Sequence, residues 1–299
     1  MNKNTIEGKT KYIEPIDGNI HDCKKVRITT KDALTANDAA KREELPLAED
    51  KTRQTVSIFK FLSKNNIPNS FLIKAELDTF IAENCKMLPL ECVTRRQPYG
   101  SYLKRNPSAS SSDIFEPIKT EFYHKYAVVP SVTAHQSSFG FDESRIIPEG
   151  LARDLYMKDG EWTHTVYTDP IIELGDEEWQ LHSAKLPKTD PIFKILPVAN
   201  SEVMDYIREE LMIPTFLLLE KAWNKFNVSL IDMKIEVGYT KDMELVIADV
   251  IDNDSWRIWP NGDPKKQLDK QSFRDGEDLS EVQKKYRIVT EYVEKFLLT

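Results

Sequence analysis

From Ile231 to Val237 the chain reads Ile-Asp-Met-Lys-Ile-Glu-Val, apolar and charged residues in strict alternation. A period of two is the signature of a strand, whose successive side chains point to opposite faces. Ile231, Met233, Ile235 and Val237 must share one face, and Asp232, Lys234 and Glu236 the other. A turn through 239–243 leads to a second run, 244–251, in which, past its opening Glu244, Asp249 alone interrupts a series of apolar residues. An antiparallel hairpin is expected. Two readings fit it. In one, the charged face is simply solvated. In the other, the second strand is central, because it is apolar on both faces, and a buried carboxylate is costly unless paired or metal-bound. Two carboxylates on adjacent strands suit Mg²⁺, a hard cation that takes oxygen ligands and shares its remaining sites with phosphate. Asp252 and Asp254 add acid at the same end, and Lys234 is placed to meet an anionic substrate.

The rest of the composition narrows the class of protein. The 299 residues are 40% hydrophobic and 30% charged, enough to bury a large core as one two-lobed domain or two modest ones. A net charge of −8 argues against a general nucleic-acid binder, which needs a broad basic face. Cys23, Cys85 and Cys92 form no CxxC pair, so a reducing compartment is expected rather than a disulfide framework. The histidines show no HxxxH or HxH spacing, which disfavours a zinc-hydrolase centre. The N-terminus lacks an apolar leader, and no apolar stretch approaches the roughly 20 residues that span a bilayer. A soluble, cytoplasmic protein is the expectation.

Residues 1–48 alternate short apolar stretches with turn signals such as Asp17-Gly18 and predict strands. Between 51 and 65, Val56, Phe59 and Leu62 mark one face of a helix that Pro68 bars from continuing. Strands are expected over 71–75 and 87–95, and a loop over 106–113. From 124 to 197 neither period persists. Ser201 opens a helix that Pro214 must kink or split. In the last helix Ser280 and Gln283 fit a capping box, with Tyr286, Val289, Val293 and Phe296 along one face.

Two further segments carry groups suited to phosphate. Glu7-Gly8-Lys9-Thr10-Lys11 looks like part of a P-loop, but the glycine required five residues before Gly8 cannot be present, so a Walker A assignment fails. A glycine turn with two lysines on one face survives, and so does the plainer reading of solvated lysines on an edge strand. Between 86 and 105, Lys86, Arg95, Arg96, Lys104 and Arg105 face one acid, Glu91. Gly100 permits close backbone approach, Ser101 offers a hydroxyl, and arginine suits bidentate capture of phosphate or carboxylate. An anion site and a basic surface turn are both consistent with this segment.

In order along the chain, 7–11, 32–41 (DALTANDAAK), 87–105 (MLPLECVTRRQPYGSYLKR), 230–238 (LIDMKIEVG) and 247–275 (IADVIDNDSWRIWPNGDPKKQLDKQSFRD) resemble the SAICAR synthetase family. The last two are long and specific. They look like the synthetase portion of the animal bifunctional enzyme, whose carboxylase half is absent from this sequence. The resemblance covers 5–107 and 200–299.

The resemblance implies an α+β, two-lobed, ATP-grasp or kinase-like fold with an antiparallel-sheet N-terminal lobe and a mixed C-terminal lobe. A nucleotide-binding lobe over 1–98 and a CAIR- and metal-binding lobe over 99–299 are expected. Such enzymes join L-aspartate to the carboxylate of CAIR (carboxyaminoimidazole ribonucleotide), consuming ATP to ADP and phosphate and forming SAICAR in purine biosynthesis. By the same resemblance, Gly8, Lys9 and Lys11 hold ATP phosphates, while Met87, Leu90 and Glu91 line the adenine largely through backbone. Glu236 and Asp249 hold Mg²⁺. Arg95, Ser101, Lys234 and Arg257 contact CAIR, and 269–274 closes over the site. Lys234, Glu236 and Asp249 form the implied catalytic set. ATP, CAIR and L-aspartate are the implied partners, with a homo-oligomer as a further expectation and neither nucleic acid nor membrane among them.

Residues 124–168 look like an insertion relative to the family, whose Asp-Pro corresponds to Asp169-Pro170 in preference to Asp190-Pro191. A small-molecule kinase is the alternative enzyme class, since paired acids and a kinase-like lobe also serve phosphoryl transfer. Against it, the sequence has no HRD-type loop and no DFG. A non-catalytic nucleotide-binding protein would have lost its metal ligands, and both acids are present.

Overall fold

The computed structural model describes residues 4–36, 41–129, 145–164, 166–168, 170–174, 179–182 and 200–298. The chain divides into two compact units: Met1–Leu88 together with Glu209–Thr299, and Pro89–Arg208. This partition by contact has other bounds than the nucleotide and CAIR lobes, 1–98 and 99–299, that the resemblance leads one to expect.

The first unit opens with strands Ile6–Glu7 (β1), Lys11–Pro15 (β2) and Lys25–Thr30 (β3). The hairpin Ala33–Ala36 (β4) and Lys41–Glu44 (β5) precedes helix Ala48–Lys64 (α1). Strands Phe71–Lys74 (β6) and Thr79–Glu83 (β7) complete an antiparallel sheet of order β1-β2-β3-β7-β6, and Lys86–Met87 (β8) follows. The strand-rich start expected from the sequence is present. Alternation works as the pattern requires: Val26 and Ile28 of β3 are buried with Phe80 and Ala82 of β7 and Val56 of α1. Val56, Phe59 and Leu62 all face inward, each contributing about 1.5–3 kcal/mol by burial. The helix ends at Asn65, whose N–H caps the last turn ahead of Pro68.

The second unit begins with Leu90–Arg95 (β9) and the short helix Ser101–Arg105 (α2), then Lys119–His124 (β10), Tyr126–Val129 (β11), Arg145–Pro148 (β12) and Glu149–Tyr156 (α3). Met157–Lys158 (β13), Glu161–Trp162 (β14), Ile171–Leu174 (β15), Trp179–His182 (β16) and Ser201–Tyr206 (α4) follow. Within the unit β16, β15, β10 and β9 pair antiparallel in that order, while β11–β12 and β13–β14 are separate two-stranded ribbons. The single strand expected over 87–95 is a correction. It breaks after Met87, because Pro89 has no N–H to give a ladder.

A π-helical stretch, Ile207–Met212, begins in the last two residues of the second unit and leads into Ile213–Asn224 (α5) of the first, with Pro214 in its first turn. Pro214 splits the helix as its missing N–H demands. Val228–Tyr239 (β17) then pairs antiparallel with Leu245–Ala248 (β18), Trp256–Pro260 (β19) and β8. Helices Gln271–Arg274 (α6) and Leu279–Phe296 (α7) end the chain. On α7, Tyr286, Val289, Val293 and Phe296 are all buried, with Phe296 packed 5.6 Å from Phe61 of α1. The capping box is not formed. Asp278, a strong N-cap residue, accepts from the Ser280 N–H instead, and Gln283 turns to the Pro46 carbonyl at 3.3 Å. Among the described residues no helix is long and apolar enough to cross a membrane.

Candidate active site

Strand β17 is not a half-solvated strand. Asp232 and Glu236 are buried and Lys234 is only partly exposed, so the charged stripe lies inside the fold. Burial without partners would be prohibitive, and each charge has one. Asp232 accepts from Arg257 at 2.6 Å across the β17–β19 pairing, and Lys234 Nζ lies 2.7 Å from Glu236 Oε1. Strand β18 is shorter than the expected 244–251. It stops at Ala248, opposite Glu236, because Asp249 swings into the left-handed region at φ 63°. Aspartate visits that region more readily than most residues, yet such a conformation still costs of order 1–3 kcal/mol and gathers at functional sites.

Asp249 forms an ion pair with Lys11 of β2. The Gly8 N–H donates to the Lys11 carbonyl at 2.9 Å, closing the turn that delivers this lysine. Lys9 sits exposed in the bend before it. A residue expected to hold phosphate and one expected to hold metal, far apart in sequence, therefore meet in the first unit.

Strand β8 lies against the end of β17 that carries Glu236. Gly238 stands opposite Met87, and a Cβ there would sit 3.0 Å from both the Cys85 Cβ and the Met87 Sδ. Glycine is what lets the two backbones approach. The Leu88 N–H donates to the Val237 carbonyl at 3.0 Å, fixing this edge. Burial, with help from Glu83, pushes the Cys85 thiol up to about 12.

The segment between Asp249 and Arg257 is held by a buried charged network that sequence reasoning missed. Asp254 accepts from Lys51 at 3.0 Å, from Lys270 at 2.9 Å and from Tyr286. Burial alone would raise its pKa, but Lys51, Lys270 and Tyr286 prevail and hold the carboxyl well below its usual range. The Asn253 N–H donates to Gln54 at 2.7 Å, and Asn253 Nδ2 donates to the Leu268 carbonyl. Asp269 accepts backbone N–H bonds from Ile258 and Gln271, and burial pushes its carboxyl up to about 6. The 269–274 stretch is thus anchored by Asp269, Lys270 and the buried Phe273. No local pattern singled out Lys51, which stands beside Glu49, Asp50 and Arg53 in the first turns of α1 and is set apart only by its burial.

In the second unit Arg95 and Arg105 clamp the fully buried Glu121, with Arg95 Nε 2.6 Å from its carboxylate. Arg95 Nη2 and Arg105 Nη1 both donate to the Tyr123 hydroxyl, at 3.1 and 2.9 Å. That hydroxyl lies 2.8 Å from Ser101 Oγ. Arg95 and Ser101, named from the sequence, therefore share one network, organised by Glu121 and Tyr123, which were not named. Leu90 is buried and Glu91 partly buried on β9.

The expected site residues fall into two sets: Gly8, Lys9, Lys11, Met87, Lys234, Glu236, Asp249 and Arg257 in the first unit, and Leu90, Glu91, Arg95 and Ser101 in the second. Among the described residues no three His, Cys, Asp or Glu side chains converge as a metal cage. Two acids on neighbouring strands, Glu236 within β17 and Asp249 just past the end of β18, each already neutralised by an ammonium, are nonetheless the donor set Mg²⁺ uses when substrate phosphates complete its shell. Asp169, Asp190 and Pro191 lie outside the described residues.

A model of the SAICAR synthetase family matches residues 4–134 and 146–292, passing over 135–145 within the stretch expected to be inserted. The phosphoribosylaminoimidazole-succinocarboxamide synthase of Herpetosiphon aurantiacus is 30% identical over 298 residues, covering 97% of this chain and 96% of its own. The human bifunctional carboxylase/succinocarboxamide synthetase is 34% identical over 306 residues, 99% of this chain but 59% of its own. Among solved structures, a type-2 SAICAR synthetase in complex with ADP superposes with a TM-score of 0.65 over 97% of both chains, at 23% identity. That likeness establishes a mixed α/β fold with antiparallel sheets. The matches disfavour the small-molecule kinase alternative. The chain belongs to the SAICAR synthetase family, ATP-dependent ligases that join CAIR and L-aspartate in purine biosynthesis.

Proposed function

We propose that this chain carries out the family's ligation with Lys11, Lys234, Glu236 and Asp249 at its centre, in a two-lobed, ATP-grasp-like arrangement with a nucleotide lobe over 1–98 and a CAIR lobe over 99–299. The observation that carries the reading is the Lys11–Asp249 ion pair beside the Lys234–Glu236 pair. A carboxylate is a poor acyl electrophile. An oxygen of the CAIR carboxylate attacks the terminal phosphorus of ATP, ADP departs, and the aspartate amine then displaces phosphate from the acyl carbon while losing a proton. Such transfer needs positioning and charge neutralisation more than a protein nucleophile.

Glu236 and Asp249 would hold Mg²⁺, which neutralises phosphate charge when bound. Lys11, with Gly8 and Lys9, supplies the cationic turn for the ATP phosphates. Met87, Leu90 and Glu91 offer backbone to the adenine. Lys234 is poised to leave Glu236 for the CAIR carboxylate, and Arg257 is held by Asp232 as a CAIR contact of the first unit. Arg95 and Ser101 are the CAIR contacts of the second unit. A cytoplasmic enzyme that assembles as a homo-oligomer accords with this reading.

Calorimetry and steady-state rates test it together. Glu236→Ala and Asp249→Asn should each lower kcat by at least about a thousandfold and abolish the strengthening of ATP binding by Mg²⁺, while each variant still unfolds cooperatively. Near-normal rates, or Mg²⁺-dependent ATP binding that persists in both variants, would rule out the metal assignment.

A further inference from the structure

Among the described residues the Tyr123 hydroxyl stands within hydrogen-bond reach of three groups, and the proton count fixes the direction of every bond. Arg95 Nη2 at 3.1 Å and Arg105 Nη1 at 2.9 Å belong to guanidinium groups, which only donate. Both bonds therefore end on the phenol oxygen and use its two lone pairs. The single phenol proton must go elsewhere, and the acceptor in reach is Ser101 Oγ at 2.8 Å. A serine hydroxyl that accepts from Tyr123 keeps its own proton for another partner. Ser101 is partly exposed, at the start of α2, whereas Glu121 beneath it is fully buried and holds both arginines by ion pairs. Glu121 thus locks the guanidinium planes, the planes fix the tyrosine, and the tyrosine fixes the serine.

We infer that Tyr123, oriented by Arg95, Arg105 and Glu121, is a positioning residue that makes the Ser101 hydroxyl an obligate donor to an anionic group of CAIR. The inference rests on the proposed role of Ser101 as a CAIR ligand. An ordinary serine rotor divides its time between donating and accepting. Here the donor state is selected before the substrate arrives, which lowers the cost of ordering it on binding. The same device disfavours any ligand that presents a hydrogen-bond donor to Ser101, so it also discriminates between substrates at that contact.

The test measures KM for CAIR, ATP and aspartate in the full chain for Tyr123→Phe, Ser101→Ala and the double variant. Phenylalanine keeps the ring and removes the hydroxyl. Tyr123→Phe should raise the KM for CAIR about tenfold, leave the ATP and aspartate values within about twofold, and have almost no effect once Ser101 is alanine. An unchanged CAIR KM in Tyr123→Phe, with a raised one in Ser101→Ala, overturns the inference and leaves the proposed role of Ser101 standing. So does full additivity in the double variant. An unchanged CAIR KM in Ser101→Ala instead removes Ser101 from the substrate site and the inference with it. Should Tyr123→Phe not fold, Arg105→Lys keeps a cation beside Glu121 while withdrawing one donor from Tyr123. It should raise the CAIR KM selectively, and an unchanged value would contradict the inference.

Discussion

Asp254 and Asp269, neighbours in one buried network, have carboxyl groups shifted in opposite directions, and the difference comes from their partners. Asp254 faces two ammonium groups and a phenol, whereas Asp269 has two backbone N–H donors and little countercharge. For Asp269 the folded pKa, about 6, stands above the unfolded value of about 3.9, so the native state binds more protons in between. Its contribution to stability is fully present below the unfolded pKa and is lost as pH rises through 6. Denaturant unfolding of the parent and of Asp269→Asn should show the parent losing about 2 kcal/mol relative to the variant between pH 4 and pH 7. A constant difference across that window would contradict the assignment. Little of this was legible in the sequence. Glu236 and Asp249 stood out because alternation and an apolar run isolated them. Asp232 had the same spacing but no visible role, since its partner Arg257 is reached only when β17 and β19 pair.

The element that matters most for the site is the segment from Asp249 to Arg257, between β18 and β19. Its backbone and side chains are tied to α1 through Lys51 and Gln54, to α7 through Tyr286, and to the 268–270 turn through Asn253 and Lys270. Truncating Asp254 to alanine would leave two buried ammonium groups without that carboxylate, at a cost of about 3–5 kcal/mol. Chemical denaturation should show this loss, with a parallel fall in kcat because Asp249 and Arg257 both lose their anchor. Unchanged stability would mean that the network does not hold the segment. Strands and helices with a clear period were legible: α1, α7 and β17 lie where their patterns place them, and Pro214 splits the helix it was expected to split. The misses share a cause. The strand expected over 87–95 broke at a proline inside an apolar run, and the capping box yielded to Asp278 because two good caps competed within three residues. Local pattern does not rank such competitors.

For the whole molecule, the five matched segments already pointed to the ligase, and the family match over 4–134 and 146–292 bears that out. What sequence order could not reveal is that the first compact unit is discontinuous, built from both ends of the chain with 89–208 as a unit of its own. Contact between 7–11 and 249, which joins a phosphate-type turn to a metal-type acid, follows from that closure and from no local pattern. The same pair sets the central claim: ATP is spent to make an amide to aspartate. ADP release, followed by a coupled assay while CAIR, aspartate and ATP are omitted in turn, tests it most directly. ADP should accumulate at the full rate with all three present, in step with SAICAR, and fall to background without CAIR or without aspartate. Sustained ADP production in the absence of aspartate would contradict the account.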